Sequence, residues 1–194
     1  MFGGTFDPPH QAHLSLLEEV QSQFQFDYVF IVLSKFPHGK TAVADYQTRL
    51  RWCQEIFIAP WMKVSNLEEN SSQSVFAKEI FYQLSLQKPD AAYFWILGED
   101  QLNQLPYWNS IDDYASSLGW IALAREKDHN RGGLGLRSRR LTSNTCSYSW
   151  AVIDKRFSIS STEIRKNVFK RKGDIPPGIR EEVVDFYKNQ ATKE

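Results

Sequence analysis

Apolar residues recur along the chain with two periods, and each period predicts one kind of element. Leu14, Leu17, Val20 and Phe24 recur at three- and four-residue intervals and predict an amphipathic helix over 11–24. Continuous apolar runs at 28–33 and 92–97 predict strands that are buried on both faces. The same criteria predict further helices at 45–58, 74–86, 161–170 and 177–188, and further strands at 62–67, 120–124 and 150–153.

The alternation of short strands with helices predicts an α/β fold with a doubly wound, mostly parallel sheet. The 194 residues suit one domain over 1–194, with 154–194 as a short helical C-terminal part. Glycine, serine and arginine are frequent in the segment 125–149, which has no periodicity. We expect that segment to be a long irregular connection.

Composition excludes several classes of protein. Lysine plus arginine and aspartate plus glutamate number 23 each, and this balance disfavours a nucleic-acid coat or a membrane-surface binder. Cys53 and Cys146 have no partner at metal-ligand or redox-motif spacing, which fits a reduced compartment. No apolar run approaches the roughly 20 residues that span a bilayer. We therefore expect a cytoplasmic protein.

Ligands of such sheets bind beyond the carboxyl ends of the strands. The segments that follow the predicted strands are 3–13, 34–40, 98–108 and 158–165. These are also the most unusual parts of the sequence, and this agreement of position and composition indicates where a functional site lies.

The segment 3–13 combines glycines, histidines and a helix start. Gly3 and Gly4 allow backbone N–H groups to turn inward, and the helix that follows offers its positive N-terminal end, so the segment predicts an anion site. His10 and His13 are three residues apart and share one face of the first turn. No third ligand for a metal ion stands near them, so hydrogen bonds to phosphate oxygens suit the pair better.

The segment 159–165 predicts a second helix start. Ser160 and Glu163 have the spacing of a capping box, and Arg165 follows on the next turn, where it can fold back over a bound anion. Taken alone, this is an ordinary capped helix with a solvated arginine. Together with the segment 3–13, it favours an anion site built from two helix starts.

The two segments together resemble the H-x-G-H nucleotidyltransferase superfamily, and most closely the bacterial nicotinate-nucleotide adenylyltransferases. G-G-T-F-D-P-P-H-Q-A-H at 3–13 and I-S-S-T-E-I-R at 159–165 match the family's first and last motifs in order. Between them, Lys40 lies in a segment similar to the family's P-P-H-K loop. L-G-E-D at 97–100 and L-P-Y-W at 105–108 are similar to its I-G-x-D and L-P-x-W segments.

The resemblance implies a Rossmann-like nucleotidyltransferase fold and adenylyl transfer from ATP to nicotinate or nicotinamide mononucleotide, giving a dinucleotide and pyrophosphate in NAD biosynthesis. It implies Mg²⁺ bound to the nucleotide, with ATP and the mononucleotide as small-molecule partners. The catalytic residues it implies are His10, His13 and Arg165. Those for ATP are Gly4, Thr5, Phe6, Gly98, Asp100, Ile159, Ser161 and Thr162. Those for the mononucleotide are Lys40, Ser74 and Trp108.

Departures from the family pattern leave some questions open. Ala12 stands where the family has the glycine of H-x-G-H, and the family's S-Y-T segment aligns with 72–74, so the preference for acid or amide is open. A pantetheine-phosphate, FMN or cytidylyl transferase is an alternative, as is a nucleotide-binding sensor with weak catalysis. The arginines of 131–140 could contact nucleic acid, but zero net charge favours a solvated loop. The sequence does not indicate an oligomeric state.

Overall fold

The computed structural model describes residues 1–98, 101, 104–123, 135–140, 147–153 and 159–191. The chain divides into two compact units. The first comprises Met1–Gly3 and Ser71–Arg156, and the second comprises Gly4–Asn70 and Phe157–Glu194. The single domain inferred from chain length stays a prediction.

The elements follow the predicted alternation of strands and helices. The strands are β1 (Phe2–Gly4), β2 (Val29–Leu33), β3 (Met62–Ser65), β4 (Phe94–Gly98), β5 (Gly119–Leu123), β6 (Gly135–Arg140) and β7 (Ser147–Ile153). The α-helices are α1 (Gln11–Phe24), α2 (Tyr46–Ile56), α3 (Ala77–Gln87), α4 (Ile111–Tyr114), α5 (Ser161–Lys166) and α6 (Arg180–Ala191). Among the described residues, no helix combines the length and apolar character needed to cross a membrane.

In the first unit, the strands follow the order β1-β4-β5-β7-β6. Parallel pairing joins β1 to β4, β4 to β5 and β5 to β7, with Ile96 opposite Ile121. Trp95, Ile96, Trp120 and Ile121 are buried, because β4 and β5 lie inside the sheet and their apolar side chains leave water on both faces. The mostly parallel sheet is therefore confirmed.

The expected irregular connection over 125–149 is wrong in part. Residues Gly135–Arg140 form β6, which pairs antiparallel with β7, and β7 begins at Ser147, ahead of the predicted strand at 150–153. β6 is the last strand in the order and has one neighbour. An edge strand can be polar and charged, so its sequence need not show the apolar pattern of a buried strand.

In the second unit, β2 and β3 pair in parallel, with Val29 opposite Met62. Beyond the end of β2, the Ser34 N–H donates to the carbonyl of Gly4, the last residue of β1 (3.0 Å). The Asp45 carboxylate caps α2 by accepting from the Thr48 N–H (2.9 Å). The helix predicted at 161–170 ends earlier, at Lys166, where α5 closes. The core of this unit includes Leu17, Val20, Ile31, Leu33, Trp52, Ile164 and Val183.

Candidate active site

A tight turn after β1 begins the candidate site of the second unit. Phe6 has a φ of 50°, in the left-handed region, and its ring is buried. The ring lies directly over Gly4, where an added Cβ would come within 3.0 Å of it. Glycine therefore suits position 4, because a side chain there would crowd the Phe6 ring unless the turn shifted. The Phe6 ring also contacts the ring of His13 edge to face, with centroids 5.0 Å apart.

The two histidines of the first motif lie together at the start of α1. His10 is the N-cap residue, and its ring stacks on that of His13 with a centroid distance of 3.7 Å. The backbone N–H of His10 donates to His13 Nδ1 (3.0 Å). This hydrogen bond fixes the orientation of the His13 ring, so the predicted placement of both imidazoles at one helix start is found.

Burial makes His10 hard to protonate. Its side chain is 5% exposed, and burial lowers its pKa from the ordinary 6.5 to about 4. Its Nδ1 is buried and has no hydrogen-bond partner among the described residues, which also disfavours a protonated ring. At neutral pH, His10 is therefore a neutral hydrogen-bonding group and not a cation.

Asp7 is a buried carboxylate at the centre of the same turn. Its Oδ2 accepts from the Val43 N–H (2.8 Å), and its Oδ1 accepts from the Ala44 N–H (3.0 Å) and the Tyr187 hydroxyl (2.6 Å). Arg165 Nη1 lies 3.5 Å from Oδ2 and donates to the main-chain carbonyl of Asp7 (2.5 Å). Asp7 thus joins the turn after β1 to the loop before α2, to α5 and to α6.

The last motif is held against the first by direct contacts. The Ser161 hydroxyl donates to the carbonyl of Pro8 (2.8 Å), and the Ser160 hydroxyl accepts from the Glu163 N–H (3.2 Å), which caps α5 as predicted. Arg165 Nη2 lies 3.4 Å from Thr162 Oγ1. The two motifs, some 150 residues apart in sequence, therefore form one cluster of polar groups within the second unit.

Arg49, a buried arginine on α2, stabilises the turn after β1 by hydrogen bonds to main-chain carbonyls. Arg49 is 1% exposed and donates from Nε to the carbonyl of Ala44 (2.9 Å). Its Nη1 donates to the carbonyls of Thr5 (2.6 Å) and Ser34 (2.8 Å). One guanidinium thereby binds the carbonyls of three separate segments. Burial lowers the pKa of Arg49, and the charge of Asp7 opposes that shift.

The remaining predicted site residues of the second unit lie near these motifs in sequence. Lys40 is exposed in the loop between β2 and α2, next to Gly39, which has a φ of 70°. Ile159 is half-buried just before the Ser160 cap. Ala12, on the first turn of α1, is buried at 2% exposure, so its methyl group is part of the core of this unit.

In the first unit, the predicted residues lie at or near the ends of strands and helices. Gly98 ends β4, Ser74 precedes α3, and both are half-buried. The Trp108 ring is also half-buried and packs edge to face against Trp95 (5.8 Å) and Trp120 (6.2 Å). Trp95 and Trp120 are both buried core residues. Asp100 lies outside the described residues.

Sequence reasoning missed the parts played by Asp7, Arg49 and Tyr187. Asp7 stands inside the first motif, but a lone aspartate beside a proline is equally typical of a turn. Arg49 occurs among apolar residues of α2, and that is the one available signal: a charged residue on a buried helix face requires partners. Within the described residues, no group of three or more His, Cys, Asp or Glu side chains could hold a metal ion.

The sequence of this chain is similar to those of known proteins. The model of a family described as cytidylyltransferase-like matches residues 1–167. A protein of Pseudothermotoga lettingae named "probable nicotinate-nucleotide adenylyltransferase" is 28% identical over 96% of this chain and 95% of its own length. A protein of the same name from a Nitratiruptor species is 27% identical over 97% of this chain and 98% of its own length.

Solved structures share the fold. The nicotinic acid mononucleotide adenylyltransferase of Plasmodium falciparum, complexed with NaAD, superposes with a TM-score of 0.73 at 18% sequence identity. The match covers 97% of this chain and 93% of that protein. A second structure of that protein, complexed with APC, gives a TM-score of 0.70. The predicted Rossmann-like fold is thereby confirmed.

Proposed function

The chain belongs to the cytidylyltransferase-like family, and from that premise we propose that it is an adenylyltransferase that joins ATP to nicotinate mononucleotide. A 5′-phosphate oxygen of the mononucleotide attacks the α-phosphorus of ATP and forms a new phosphorus–oxygen bond. The bond from the α-phosphorus to the bridging oxygen breaks, and pyrophosphate leaves with that electron pair. The product is deamido-NAD, and the reaction belongs to cytoplasmic NAD biosynthesis. The names of the two curated relatives support the choice of mononucleotide.

One observation carries the proposal. The stacked His10–His13 pair and Arg165 belong to one cluster, which the Ser161–Pro8 and Arg165–Asp7 hydrogen bonds hold together. The cluster contains two imidazoles, a guanidinium and the starts of two helices. Such a set of donors suits the negative charge that an adenylyl transfer spreads over α-phosphate and pyrophosphate.

The reaction requires that the two substrates be positioned, and it does not require a general base. The second pKa of a phosphate monoester is about 6, so the attacking oxygen is already ionised at neutral pH. Neutral His10 can donate a hydrogen bond but adds no charge, and Asp7 is occupied by its own partners. Arg165 supplies the fixed positive charge. The rate then depends on how well these donors match the transition state.

We assign the residues of the second unit to ATP. His13 faces the α-phosphate, while His10 and Arg165 contact the triphosphate. Backbone groups of the turn and of the α5 start bind the remaining phosphate oxygens. The residues that supply these last contacts are Gly4, Thr5, Phe6, Ile159, Ser161 and Thr162.

The remaining assignments concern the nucleoside and the mononucleotide. Gly98 and Asp100 bind the ribose hydroxyls of ATP, and Trp108 stacks on the pyridine ring, because an aromatic face suits a flat heterocycle. Lys40 and Ser74 contact the mononucleotide, the lysine through its phosphate.

The residues of the cluster are consistent with a magnesium ion that is bound by the nucleotide and water. Asp7, the buried carboxylate of the cluster, already accepts from three donors and faces Arg165, so it is not a suitable ligand. Phosphate oxygens and water satisfy the octahedral preference of Mg²⁺ without a protein cage. When bound, the ion neutralises charge on the departing pyrophosphate.

The test is to incubate the protein with ATP and magnesium together with one acceptor at a time, and to follow pyrophosphate. Nicotinate mononucleotide should give the fastest release, and nicotinamide mononucleotide measures the base preference. Pantetheine phosphate and FMN are the competing acceptors. Preferred use of either competitor would overturn the assignment, and ATP binding without release from any acceptor would indicate a sensor.

The matched variant is His13→Ala. We expect turnover to fall by about two to three orders of magnitude, because removing one donor to the transition state costs about that much in comparable sites. The circular dichroism spectrum and the melting temperature should stay close to those of the unmodified protein. Turnover near the original rate would refute the role of His13.

A further inference from the structure

The last helix reaches the candidate site through one hydroxyl group. Tyr187 lies on α6, and its hydroxyl donates to Asp7 Oδ1, across 180 positions of sequence. We propose that Tyr187 is a positioning residue for Arg165 and acts through Asp7. The inference deepens the proposed function and rests on it, since Arg165 is taken to contact the triphosphate. None of the roles assigned above uses Tyr187.

The Asp7 carboxylate is fixed at both oxygens. The Val43 N–H holds Oδ2, and the Ala44 N–H and the Tyr187 hydroxyl hold Oδ1. The side chain is 3% exposed, so water does not compete for these positions. With its donors in place, the carboxylate presents Oδ2 to Arg165 in one orientation. Without the hydroxyl, Oδ1 keeps one of its two donors, so the carboxylate is held less firmly in the orientation that faces Arg165.

Arg165 depends on this support. Its side chain is 26% exposed and has several rotatable bonds, so solvent alone would leave the guanidinium in many orientations. The Asp7 carbonyl accepts from Nη1, and Oδ2 lies 3.5 Å from the same nitrogen. Both contacts use one edge of the planar group. Other N–H donors of the guanidinium remain available for phosphate oxygens.

Tyr187 is itself held rigidly and stays a donor. The side chain is 4% exposed, and its ring packs against Phe186 (5.0 Å) and Trp52 (6.0 Å). Burial, together with the charge of Asp7, raises the pKa of Tyr187 well above its ordinary value. The hydroxyl is therefore protonated throughout the pH range in which the protein works. Tyr187 thereby links α6, through Asp7, to the guanidinium of Arg165.

The kinetic test is Tyr187→Phe, which removes the hydroxyl and keeps the ring. We expect the KM for ATP to rise about tenfold, because a hydrogen bond to a charged group is worth at least this factor. The KM for nicotinate mononucleotide should stay within about twofold, since Lys40, Ser74 and Trp108 are unchanged.

Two controls separate positioning from general loss of stability. Tyr93→Phe removes another hydroxyl with hydrogen bonds, to the carbonyls of Leu84 and Lys88, and should leave both KM values unchanged. Val183→Ala weakens the packing of α6, where Val183 is fully buried, and should lower the melting temperature without raising the KM for ATP. A similar rise in the KM for ATP in Val183→Ala would overturn the inference.

A double variant tests the route through Arg165. In an Arg165→Lys background, Tyr187→Phe should change the KM for ATP by less than about twofold, because the group being positioned is gone. Independent effects that multiply would contradict the inference.

A spectroscopic readout keeps the inference separate from the proposed function. Rotation of the Arg165 guanidinium can be followed by ¹⁵N nuclear magnetic resonance without any substrate, with Arg165→Lys to assign the signal. We expect slow rotation in the unmodified protein and in Tyr93→Phe, and faster rotation in Tyr187→Phe. Equal rotation in all three would overturn the inference even if turnover is found. Faster rotation in Tyr187→Phe alone would support positioning even if ATP is not a substrate.

Discussion

Replacing His10 by asparagine should make folding less sensitive to acid. Burial lowers the pKa of His10 from 6.5 to about 4, so between these values the unfolded chain binds a proton that the folded protein does not. The free energy of unfolding therefore falls as the pH falls through this window. Asparagine does not titrate there, so the variant loses this contribution to the pH dependence.

The size of the effect follows from the two pKa values. A shift of one pKa unit corresponds to about 1.4 kcal/mol, so the full displacement of His10 is worth about 3 kcal/mol well below pH 4. Between pH 7.5 and pH 5.0, the same two pKa values give about 2 kcal/mol. The side chain is 5% exposed, so solvent screening reduces this figure little.

Urea unfolding at pH 7.5 and pH 5.0 measures the effect directly. The drop in unfolding free energy between the two pH values should be about 2 kcal/mol smaller for His10→Asn than for the unmodified protein. All other titrating groups are common to both proteins, so they cancel in the comparison. The control is His38→Asn, which makes the same replacement at an exposed position of the loop after β2. Equal drops in the unmodified protein and in His10→Asn would refute the reasoning.

Two further substitutions test the support of the turn. Arg49→Met leaves three carbonyls without this donor, one of them in a buried hydrogen bond and two in partly buried ones, and should lower the unfolding free energy by about 4 kcal/mol in urea titrations. Arg51→Met, which removes an exposed ion pair with Glu182, should cost under about 1 kcal/mol, and similar losses for the two arginines would contradict this account. Gly4→Ala places a Cβ within 3.0 Å of the Phe6 ring and should lower the unfolding free energy by about 1–3 kcal/mol. Gly173→Ala, where a Cβ meets nothing within 4 Å, should not, and a neutral Gly4→Ala would show that the turn can relax.

The fold was predictable where one side of an element faces the core. The helix α1 has the predicted bounds, β2 lies within its predicted run, and β4 overlaps its predicted run and extends one residue beyond it, because burial demands apolar residues at regular positions. The strand β6 has the sequence G-L-R-S-R-R and was not predicted. A strand at the end of the order is held by backbone hydrogen bonds to one neighbour, which leave no mark on the side-chain pattern.

The sequence motifs of the candidate site were predictable, but the hydrogen bonds of Asp7 and Arg49 that join them were not. Both helix starts and His10, His13 and Arg165 follow from local spacing, since a few consecutive residues fix the geometry of a helix terminus. The Asp7 contacts join positions that are 36, 37 and 180 residues apart, and the Arg49 bond to Thr5 spans 44. No period or spacing in a single sequence encodes such contacts, because they exist only once the chain is folded.

The proposed function requires a cluster of hydrogen-bond donors that keep their positions before a nucleotide binds, and the network can supply this. Arg165 would be poorly oriented without an opposite charge, yet a tight ion pair would occupy the donors that a nucleotide needs. The 3.5 Å separation from Asp7 Oδ2 and the closer hydrogen bond to the Asp7 carbonyl orient the guanidinium through Nη1, and Nη2 lies 3.4 Å from Thr162 Oγ1. Asp7 in turn is satisfied by Val43, Ala44 and Tyr187, so Arg165 can bind phosphate without leaving that carboxylate unpaired. Zero net charge and a local anion site are thus compatible, since the positive group of the site is oriented by a buried negative one.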